Sequence, residues 1–273
     1  SAARGVPVPA FAAEEPVRRA RPPKALADRL AELGVSATKQ TLALRDVSGG
    51  ALKKGLASLL GADPVGSAPF TAQRGPMNEP LQMARSIATM SLPLKEMPAV
   101  GRHFGATLND LAATLVDEGV HRYLRQTGRA FPHRLVAFCP VSLRDERDTA
   151  TGTKASAMFV HLGEHEATVV ERIEQVVAAL DAGKQELRSM SKDAAMVYAV
   201  ALLGMAELTT ATHVDRLTPP LANLVISNVP GGRERLYLNG APLVGTFPVS
   251  AIAMSVGLNV TLTSYHERMD FGF

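Results

Sequence analysis

The sequence predicts an α/β fold in which helices flank a mixed sheet. Residues 134–143 form a nearly continuous apolar run, which is typical of a strand covered on both faces. Residues 107–126 and 167–190 carry apolar side chains three and four positions apart, which predicts two long amphipathic helices. Beyond about residue 211 only strand and turn signals remain. Helices in the middle of a chain, with strands on both sides, are typical of a layered α/β domain.

Capping and turn signals place the other elements. Thr107 is a candidate N-cap for the helix at 107–126, with Asp110 three residues later in a capping-box arrangement. Asn239-Gly240 predicts a tight turn between two short strands. The remaining elements predicted are a linker or extended arm at 1–23, helices at 24–33 and 38–60, turns at 61–80, a strand at 83–91, a short helix at 93–104, a strand at 155–162, a helix from 189 or 191 to about 211 and a strand at 221–227.

The composition indicates a globular protein and argues against nucleic-acid binding. The 273 residues are 46% hydrophobic and 20% charged, which is enough for a substantial core. The net charge is only +3, aromatic residues make up 5% and tryptophan is absent, so no base-stacking platform is indicated. No apolar run reaches the ~18 residues of a membrane span. The sequence also contains neither a Walker loop nor a G-x-G-x-x-G motif.

Two reactive residue types occur in settings that do not favour chemistry. Cys139 is the single cysteine and cannot form an internal disulfide, which favours a reducing compartment. It lies inside the apolar run at 134–143, which favours a buried unreactive thiol over a nucleophile. His161 and His165 frame an H-x-x-E-H string, which in zinc peptidases requires both histidines on one helical face. Here the string closes a predicted strand and contains Gly163. Surface histidines at a turn are therefore favoured, and we expect no metal site.

Residues 194–206 are apolar on nearly every side. The run is too short to span a bilayer. It predicts either a buried core helix or the wall of a lipid-sized tunnel, in which Met196 and Met205 would contact a flexible chain.

Polar residues follow predicted strand and helix ends. Ser227 and Asn228 end a buried strand immediately before a Val-Pro-Gly corner, which packing alone does not require. A binding or catalytic site with fixed polar groups beside an apolar wall does require such an arrangement. Asn109 either belongs to the helix cap or faces a cleft. Arg144 ends a strand, where α/β folds place ligands, or pairs at the surface with Asp145 or Asp148.

Five segments occur together in an order that resembles a known family. They are TLNDLAATLVDEGVHRYL, LVAFCPVSLR, ASAMFVHL, SNVPGGRERLYLNGAPL and FPVSAIAMSVGLNVTLTSYHERMDFGF. Over about residues 81–273 they are similar to the C-terminal half of the bacterial wax ester synthase/acyl-CoA:diacylglycerol acyltransferase family. The family usually has a second proline after SNVPG, where this chain has Gly232. The resemblance implies a chloramphenicol-acetyltransferase-like layered α/β half with a mixed sheet and flanking helices.

The resemblance also implies a division of the enzyme between two halves. The family's catalytic motif is His-His-x-x-x-Asp-Gly, whereas none of the seven histidines here are adjacent. The chain is therefore expected to be the C-terminal half of an acyl-CoA-dependent O-acyltransferase that makes wax esters or triacylglycerols. Residues 1–80 would be a connecting arm with crossover helices, and residues 81–273 the C-terminal acyltransferase domain. The expected partners are the N-terminal half, acyl-CoA as a substrate rather than a cofactor, and a long-chain alcohol or diacylglycerol. A homodimer is left open.

The implied site lies at the junction of the two halves. Asn228, Ser227 and Asn109 would support the reaction centre, as donors to an oxyanion or by orienting the missing histidine. Substrate contacts are expected from Asp110, Arg144, Met196 and Met205, and structural roles from Pro230, Gly231 and Asp270, the last with Arg144 as one possible partner.

The alternative is a non-catalytic module that holds an acyl chain or docks on a membrane. Because the chain retains both the SNVPG segment and the Asn-Asp pair at 109–110, the enzyme is favoured. We expect a cytoplasmic protein associated peripherally with membranes or lipid inclusions.

Overall fold

A six-stranded mixed sheet lies at the centre of the structure. The computed structural model describes residues 69–129, 131, 133–144, 155–252 and 255–273. The helices are α1 (Met97–Phe104), α2 (Leu108–Gln126), α3 (Val169–Ser189) and α4 (Lys192–Ala211), and the strands are β1 (Thr89–Pro93), β2 (Val136–Ser142), β3 (Ala155–His161), β4 (Leu224–Pro230), β5 (Tyr237–Leu238), β6 (Ala241–Pro242), β7 (Asn259–Tyr265) and β8 (Arg268–Gly272). The sheet order is β1-β8-β7-β4-β2-β3, and β5 and β6 form a separate hairpin.

The central strand β4 is parallel to both of its neighbours, β2 and β7. Its ladder with β7 continues to Pro230, which lies opposite Ser264. Its ladder with β2 ends at Val225, opposite Phe138. Beyond this point β2 pairs only with β3 among the described strands. The carboxyl-terminal parts of β2 and β4 therefore diverge, and the sheet is open between them.

Helices pack on both faces of the sheet. α2 and α3 pack on the face that carries Ala137, Leu224 and Val260. α4 packs on the opposite face over β2 and β3, where the rings of Phe138 and Phe159 lie 5.6 Å apart. This arrangement confirms the predicted α/β fold with a mixed sheet and flanking helices.

Local signals set the helix ends. The Thr107 hydroxyl accepts a hydrogen bond from the Asp110 N–H, and the Asp110 carboxylate accepts one from the Thr107 N–H, which is the predicted capping box. Thr168 and Glu171 make the same arrangement at α3. Gly105 follows α1 with a φ of 62°, a left-handed conformation that favours glycine.

Two predicted boundaries before α2 are wrong. The strand predicted at 83–91 begins only at Thr89, because backbone pairing with the last strand reaches no further back than Ala88, whose N–H and carbonyl bond to Phe273. The helix predicted at 93–104 begins only at Met97, because the Leu94 N–H still donates to the Glu267 carbonyl at the end of the sheet (2.8 Å). The helices predicted at 24–33 and 38–60 lie outside the described residues.

Residues 69–80, the end of the expected connecting arm, pack into this domain. Ala72 and Met77 belong to its two apolar cores. The buried amide of Asn78 donates to the Ala222 carbonyl (2.8 Å), and its Oδ1 accepts from Asn223 Nδ2 (2.9 Å). These bonds attach the segment to the chain just before β4. The division at residue 80 stays a prediction.

Candidate functional site

The carboxyl ends of β2, β4 and β7 and the start of α2 lie at one edge of the sheet. α2 packs on the sheet and leads directly into β2, so the chain reverses and the start of α2 lies beside the carboxyl end of β2. Three predicted residues, Asn109, Ser227 and Asn228, therefore come to the same edge. Open α/β sheets bind ligands at such edges, outside the carboxyl ends of their strands.

Asn228 lies on the face of the sheet that α2 covers. It alternates with Leu224 and Ile226, which are buried in the core under the helices. The side chain is half-buried, and its Oδ1 is shielded from solvent with no hydrogen-bond partner among the described residues. Leaving a buried acceptor unpaired costs about 1–3 kcal/mol. This oxygen is therefore available to a donor from outside the described part of the chain.

Ser227 points to the opposite face, because successive side chains of a strand alternate. It lies beside Thr261, whose hydroxyl contacts Ser250 Oγ (2.7 Å) and Asn259 Oδ1 (3.0 Å). The structure thus brings Ser227 and Asn228 to one edge but directs the two side chains apart. The contribution of Ser227 to the reaction centre stays a prediction.

The chain leaves β4 through a corner that requires glycine. The strand continues to Pro230, past the predicted end at 227. A Cβ at Gly231 would lie 2.1 Å from the Ser264 carbonyl oxygen, and the Gly231 N–H donates to Ser264 Oγ (3.4 Å). At Gly232 the nearest atom to a Cβ would be the Glu234 carbonyl oxygen, 3.9 Å away. The close approach of the chain to β7 therefore requires glycine at position 231 and does not require it at position 232.

We expect Gly231→Ala to lower the free energy of unfolding by about 1–3 kcal/mol, because the β4 or β7 backbone must move. Gly232→Ala is the matched control and should change stability by less than about 0.5 kcal/mol. Urea unfolding of both variants checks this. Equal midpoints for the two variants would show that the corner is not tightly held.

Asp110 is occupied by structural contacts. Its buried carboxylate accepts from the Thr107 N–H (2.8 Å) and from Lys184 Nζ of α3 (3.1 Å). Asp110 thereby caps α2 and links it to α3, and its contact with substrate stays a prediction. Asn109 lies one turn before the buried Ala113, so it continues the sheet-facing stripe of α2.

The suggested pairing of Asp270 with Arg144 is wrong. The buried Asp270 carboxylate accepts from Arg268 Nε (2.8 Å), Ser91 Oγ (2.5 Å) and the Thr246 N–H (2.7 Å). Burial raises the pKa of Asp270, but these hydrogen bonds outweigh burial and hold it below its usual value. Arg268 is the partner because residues two apart on a strand share a face.

Arg144 follows β2 and lies exposed at the candidate edge, with its N–H donating to Ser142 Oγ (3.3 Å). Its other expected partners, Asp145 and Asp148, lie outside the described residues. A substrate contact of Arg144 stays a prediction.

α4 buries one face and exposes an apolar one. The buried residues are Ala194, Ala195, Ala199, Leu202 and Ala206, and the exposed ones include Val200, Leu203, Met205 and Leu208. The interpretation of residues 194–206 as a helix buried on all sides is therefore wrong. Met196 is half-buried. Within the described part of the chain α4 is the one helix that could cross a membrane, judged by length and composition alone, a test that soluble core helices also pass.

Cys139 lies in β2, and His161 and His165 lie at and after the end of β3. Cys139 is buried, as predicted, and burial raises the pKa of its thiol to about 12. His161 ends β3 and His165 lies in the following turn, so the H-x-x-E-H string is not helical. No group of three His, Cys, Asp or Glu side chains in the described ranges could hold a metal ion.

A buried ion cluster joins α2 to α3. The fully buried Arg172 guanidinium contacts the carboxylates of Asp117 (2.5 Å) and Glu118 (3.1 Å). The buried His121 ring lies 3.5 Å from Asp117 Oδ1 and 3.5 Å from the His165 ring. Burial lowers the pKa of His121 to about 4, and burial raises the pKa of Asp117 to about 6 against the opposing effect of Arg172.

These two pKa shifts have opposite consequences in acid. The pKa of His121 falls from 6.5 to about 4 on folding, so its contribution to stability is lost as the pH falls through that interval. The pKa of Asp117 rises from 3.8 to about 6, so the folded state gains relative stability as the pH falls from 6 to 3.8. The two contributions oppose each other.

His121→Gln removes only the first contribution. Relative to the unmodified chain, this variant should gain about 3 kcal/mol of stability as the pH falls from 6.5 to 4. His103→Gln changes an exposed histidine and is measured beside it as the matched control. Urea unfolding at a series of pH values measures the difference. A difference that does not vary with pH would show that His121 titrates normally.

Exposed apolar side chains recur along the chain between the end of β4 and residue 249. They are Val229, Leu236, Tyr237, Leu238, Val244, Phe247 and Val249, each 43–84% exposed, and are called the hairpin surface here. The predicted turn at Asn239-Gly240 joins β5 to β6, with φ of 49° and 82°. Sequence reasoning missed this surface, because an apolar residue carries no signal of whether a neighbour covers it. Exposed apolar patches of this kind mark interaction sites.

Family models match both ends of the chain. The wax ester synthase/diacylglycerol acyltransferase catalytic domain matches residues 4–112, and the WS/DGAT C-terminal domain matches residues 151–273. The sequence motifs indicated that the similarity begins at about residue 81. The family models show that it begins well before that residue.

Named relatives and a solved structure agree with these matches. A Mycobacterium tuberculosis protein with the provisional name diacylglycerol O-acyltransferase is 36% identical over 72% of this chain and 40% of its own length. Another, Tgs4 of the same organism, is 37% identical over 74% of this chain and 43% of its own length. The wax ester synthase/diacylglycerol acyltransferase from Marinobacter aquaeolei VT8 is 27% identical, with a TM-score of 0.57 over 84% of this chain and 50% of that one.

The chain thus spans 40 to 46% of the length of the first curated relatives it matches. Two family models, which together extend over most of the sequence, and relatives above one-third identity lead to one assignment. The chain belongs to the wax ester synthase/diacylglycerol acyltransferase family, whose members named here are acyltransferases.

Proposed function

We propose that this chain is the C-terminal half of an acyl-CoA-dependent O-acyltransferase that acylates long-chain alcohols or diacylglycerol. One observation carries the proposal. Asn228 presents a solvent-shielded, unpartnered Oδ1 where β4 diverges from β2, among the described residues. A folded chain that needed Asn228 only for packing would satisfy that oxygen internally.

The proposed reaction requires a base from outside the chain. That base removes the proton of the acceptor hydroxyl, and the oxygen attacks the thioester carbonyl carbon. The ester C–O bond forms, the C–S bond breaks, and the CoA thiolate takes up the proton. Asn228 Oδ1 would accept from the imidazole of the histidine base and orient it, or its amide would donate to the oxyanion. Acyl-CoA enters as a substrate, and the proposal needs no cofactor.

The hairpin surface and the exposed face of α4 support a missing partner half. Both are apolar, and the hairpin surface begins at Val229, next to Asn228. The two halves of one enzyme share an interface like that of an obligate dimer, commonly above ~2,000 Å². The N-terminal half carrying His-His-x-x-x-Asp-Gly is the proposed partner for the hairpin surface.

The test is release of CoA from palmitoyl-CoA with hexadecanol or dipalmitoylglycerol as acceptor. The chain alone should be inactive, because proton transfer by a positioned base contributes on the order of 10²–10⁴ in rate. The same chain assembled with an N-terminal half of the family, here called the assembled enzyme, should be active. Turnover by the chain alone, or an inactive assembled enzyme, would contradict the proposal. The ratio of the two acceptor rates decides between wax ester and triacylglycerol synthesis.

The second candidate is a non-catalytic module that holds an acyl chain or docks on a membrane, and the exposed apolar face of α4 favours it. A cytoplasmic protein that binds the surface of membranes or lipid inclusions would use such a face. Vesicle flotation of the chain, with Leu203→Glu and Leu208→Glu as variants, measures this binding. Flotation by an inactive assembled enzyme would favour the module.

A further inference from the structure

A groove of about 510 Å³ lies between α1 and the start of α2. Its lining is almost entirely apolar: Leu94, Met97, Pro98, Gly101, Gly105, Ala106 and Leu108, with Arg102 as the single charged residue. The volume falls within the ~300–1,000 Å³ of small-molecule sites.

The shape of the groove is built into the backbone. The Gly101 position admits no side chain, since a Cβ there would lie 2.6 Å from the Ala106 carbonyl oxygen. Gly105 turns the chain between the two helices with a positive φ. The floor is anchored, because Leu94, Met97 and Leu108 also pack against the main core. The groove is therefore a formed feature of the α1–α2 unit.

The position of the groove connects it to the candidate edge. Leu108 forms part of its wall, and the next residue is Asn109, in the first turn of α2. A linear apolar ligand in the groove would have one end beside Leu108, next to Asn109 at the start of α2. Alkyl chains suit an open apolar groove, because each methylene removed from water contributes without directional bonding.

The charge of Arg102 favours an alkyl chain that is attached to an anionic group. In the proposed reaction the donor, acyl-CoA, is anionic, whereas a long-chain alcohol or diacylglycerol is neutral. An exposed guanidinium beside an apolar groove favours an anionic amphiphile. We propose that this groove binds the acyl chain of a long-chain acyl-CoA, with Arg102 facing the anionic CoA portion. This inference rests on the proposed function, because it takes acyl-CoA as the ligand.

Thiol protection tests the groove directly. The only native cysteine, Cys139, is buried with a raised pKa and should stay unreactive in the folded chain. Pro98→Cys places a thiol in the groove, and Val100→Cys places one on the same helix at an exposed position outside the lining. Each is labelled with a thiol reagent in the presence of dodecanoyl-CoA, butanoyl-CoA or dodecanol at submicellar concentration.

Dodecanoyl-CoA should slow labelling at position 98 at least about fivefold and leave position 100 unchanged, butanoyl-CoA should protect little, and dodecanol should protect less than dodecanoyl-CoA, by up to about fivefold in concentration. Each pair of methylenes removed should weaken binding by up to about 15-fold. Arg102→Gln should weaken it by up to about fivefold, and the control Lys95→Gln should have no effect. If Cys139 reacts, the variant is unfolded, and Ala106→Cys on the opposite wall repeats the test.

No protection at either wall would overturn the inference, as would equal protection at position 100 or protection by dodecanol as strong as that by dodecanoyl-CoA at the same concentration. The assembled enzyme separates this failure from that of the proposed function. An active assembled enzyme without protection rejects only the groove, and protection in an inactive assembled enzyme rejects only the catalytic proposal.

Discussion

Arg172→Met should lower the free energy of unfolding by about 3–5 kcal/mol, the cost of removing one partner from a buried ion pair. The Arg172 and Asp117 side chains are 1% and 0% exposed, so water cannot replace the lost guanidinium. Methionine fills most of the volume, which separates the loss of charge from the loss of packing. Because the cluster joins α2 to α3, the variant should also loosen the helix layer over the sheet.

Two further variants give this prediction its control. Arg188→Met changes an exposed arginine of the same helix and should alter stability by less than about 0.5 kcal/mol. Adding Asp117→Leu to Arg172→Met should recover much of the loss, because the unpaired charge is then absent. Urea unfolding of the three variants measures these differences. A loss below about 1 kcal/mol for Arg172→Met would mean that solvent reaches the cluster.

Features set by neighbouring residues were predictable from the sequence. The capping box at Thr107, the end of α1 at Gly105 and the turn at Asn239-Gly240 each depend on a few consecutive residues. Local backbone sterics and short hydrogen bonds fix these features before any tertiary contact forms. The amphipathic period of α2 likewise predicted the face that packs on the sheet.

Features set by distant residues were not predictable. The ion pair between Asp117 and Arg172 joins positions 55 apart, and nothing local marks either residue as buried. The divergence of β2 from β4 depends on where a short ladder stops. The exposed face of α4 cannot be read from composition, because an apolar side chain is compatible with a core, a tunnel or an interface with another half.

The candidate site was predicted in part. Asn109, Ser227 and Asn228 reach one edge, as expected from the order of the elements. Strand alternation then separates the two side chains of β4, and only Asn228 faces the side covered by α2. The suggested partner of Asp270, Arg144, was wrong, because Arg268 on the same face of β8 supplies the guanidinium.

Asn228→Ala in the assembled enzyme should lower kcat by about 100-fold or more, as removal of one oxyanion-hole donor does elsewhere. Its Oδ1 has no described internal partner, so truncation removes little from the fold, and the loss of stability should stay near about 1 kcal/mol. Gln126→Ala is the matched control, since it truncates an exposed amide side chain at the opposite end of α2 from Asn109 and should leave kcat unchanged.

The rival account is a structural one, in which Asn228 only ties down the corner at Pro230 and Gly231. In that case kcat and the unfolding midpoint should fall together, and an independent stabilising substitution should restore both. The catalytic account predicts that added stability restores nothing.

The most direct measurement is therefore kcat and the unfolding midpoint of Asn228→Ala on one preparation of the assembled enzyme, beside the unmodified protein. We expect kcat to fall by about 100-fold or more with a midpoint close to that of the unmodified protein. An unchanged kcat with a lowered midpoint would contradict the claim that this edge of the sheet forms part of the acyl-transfer centre.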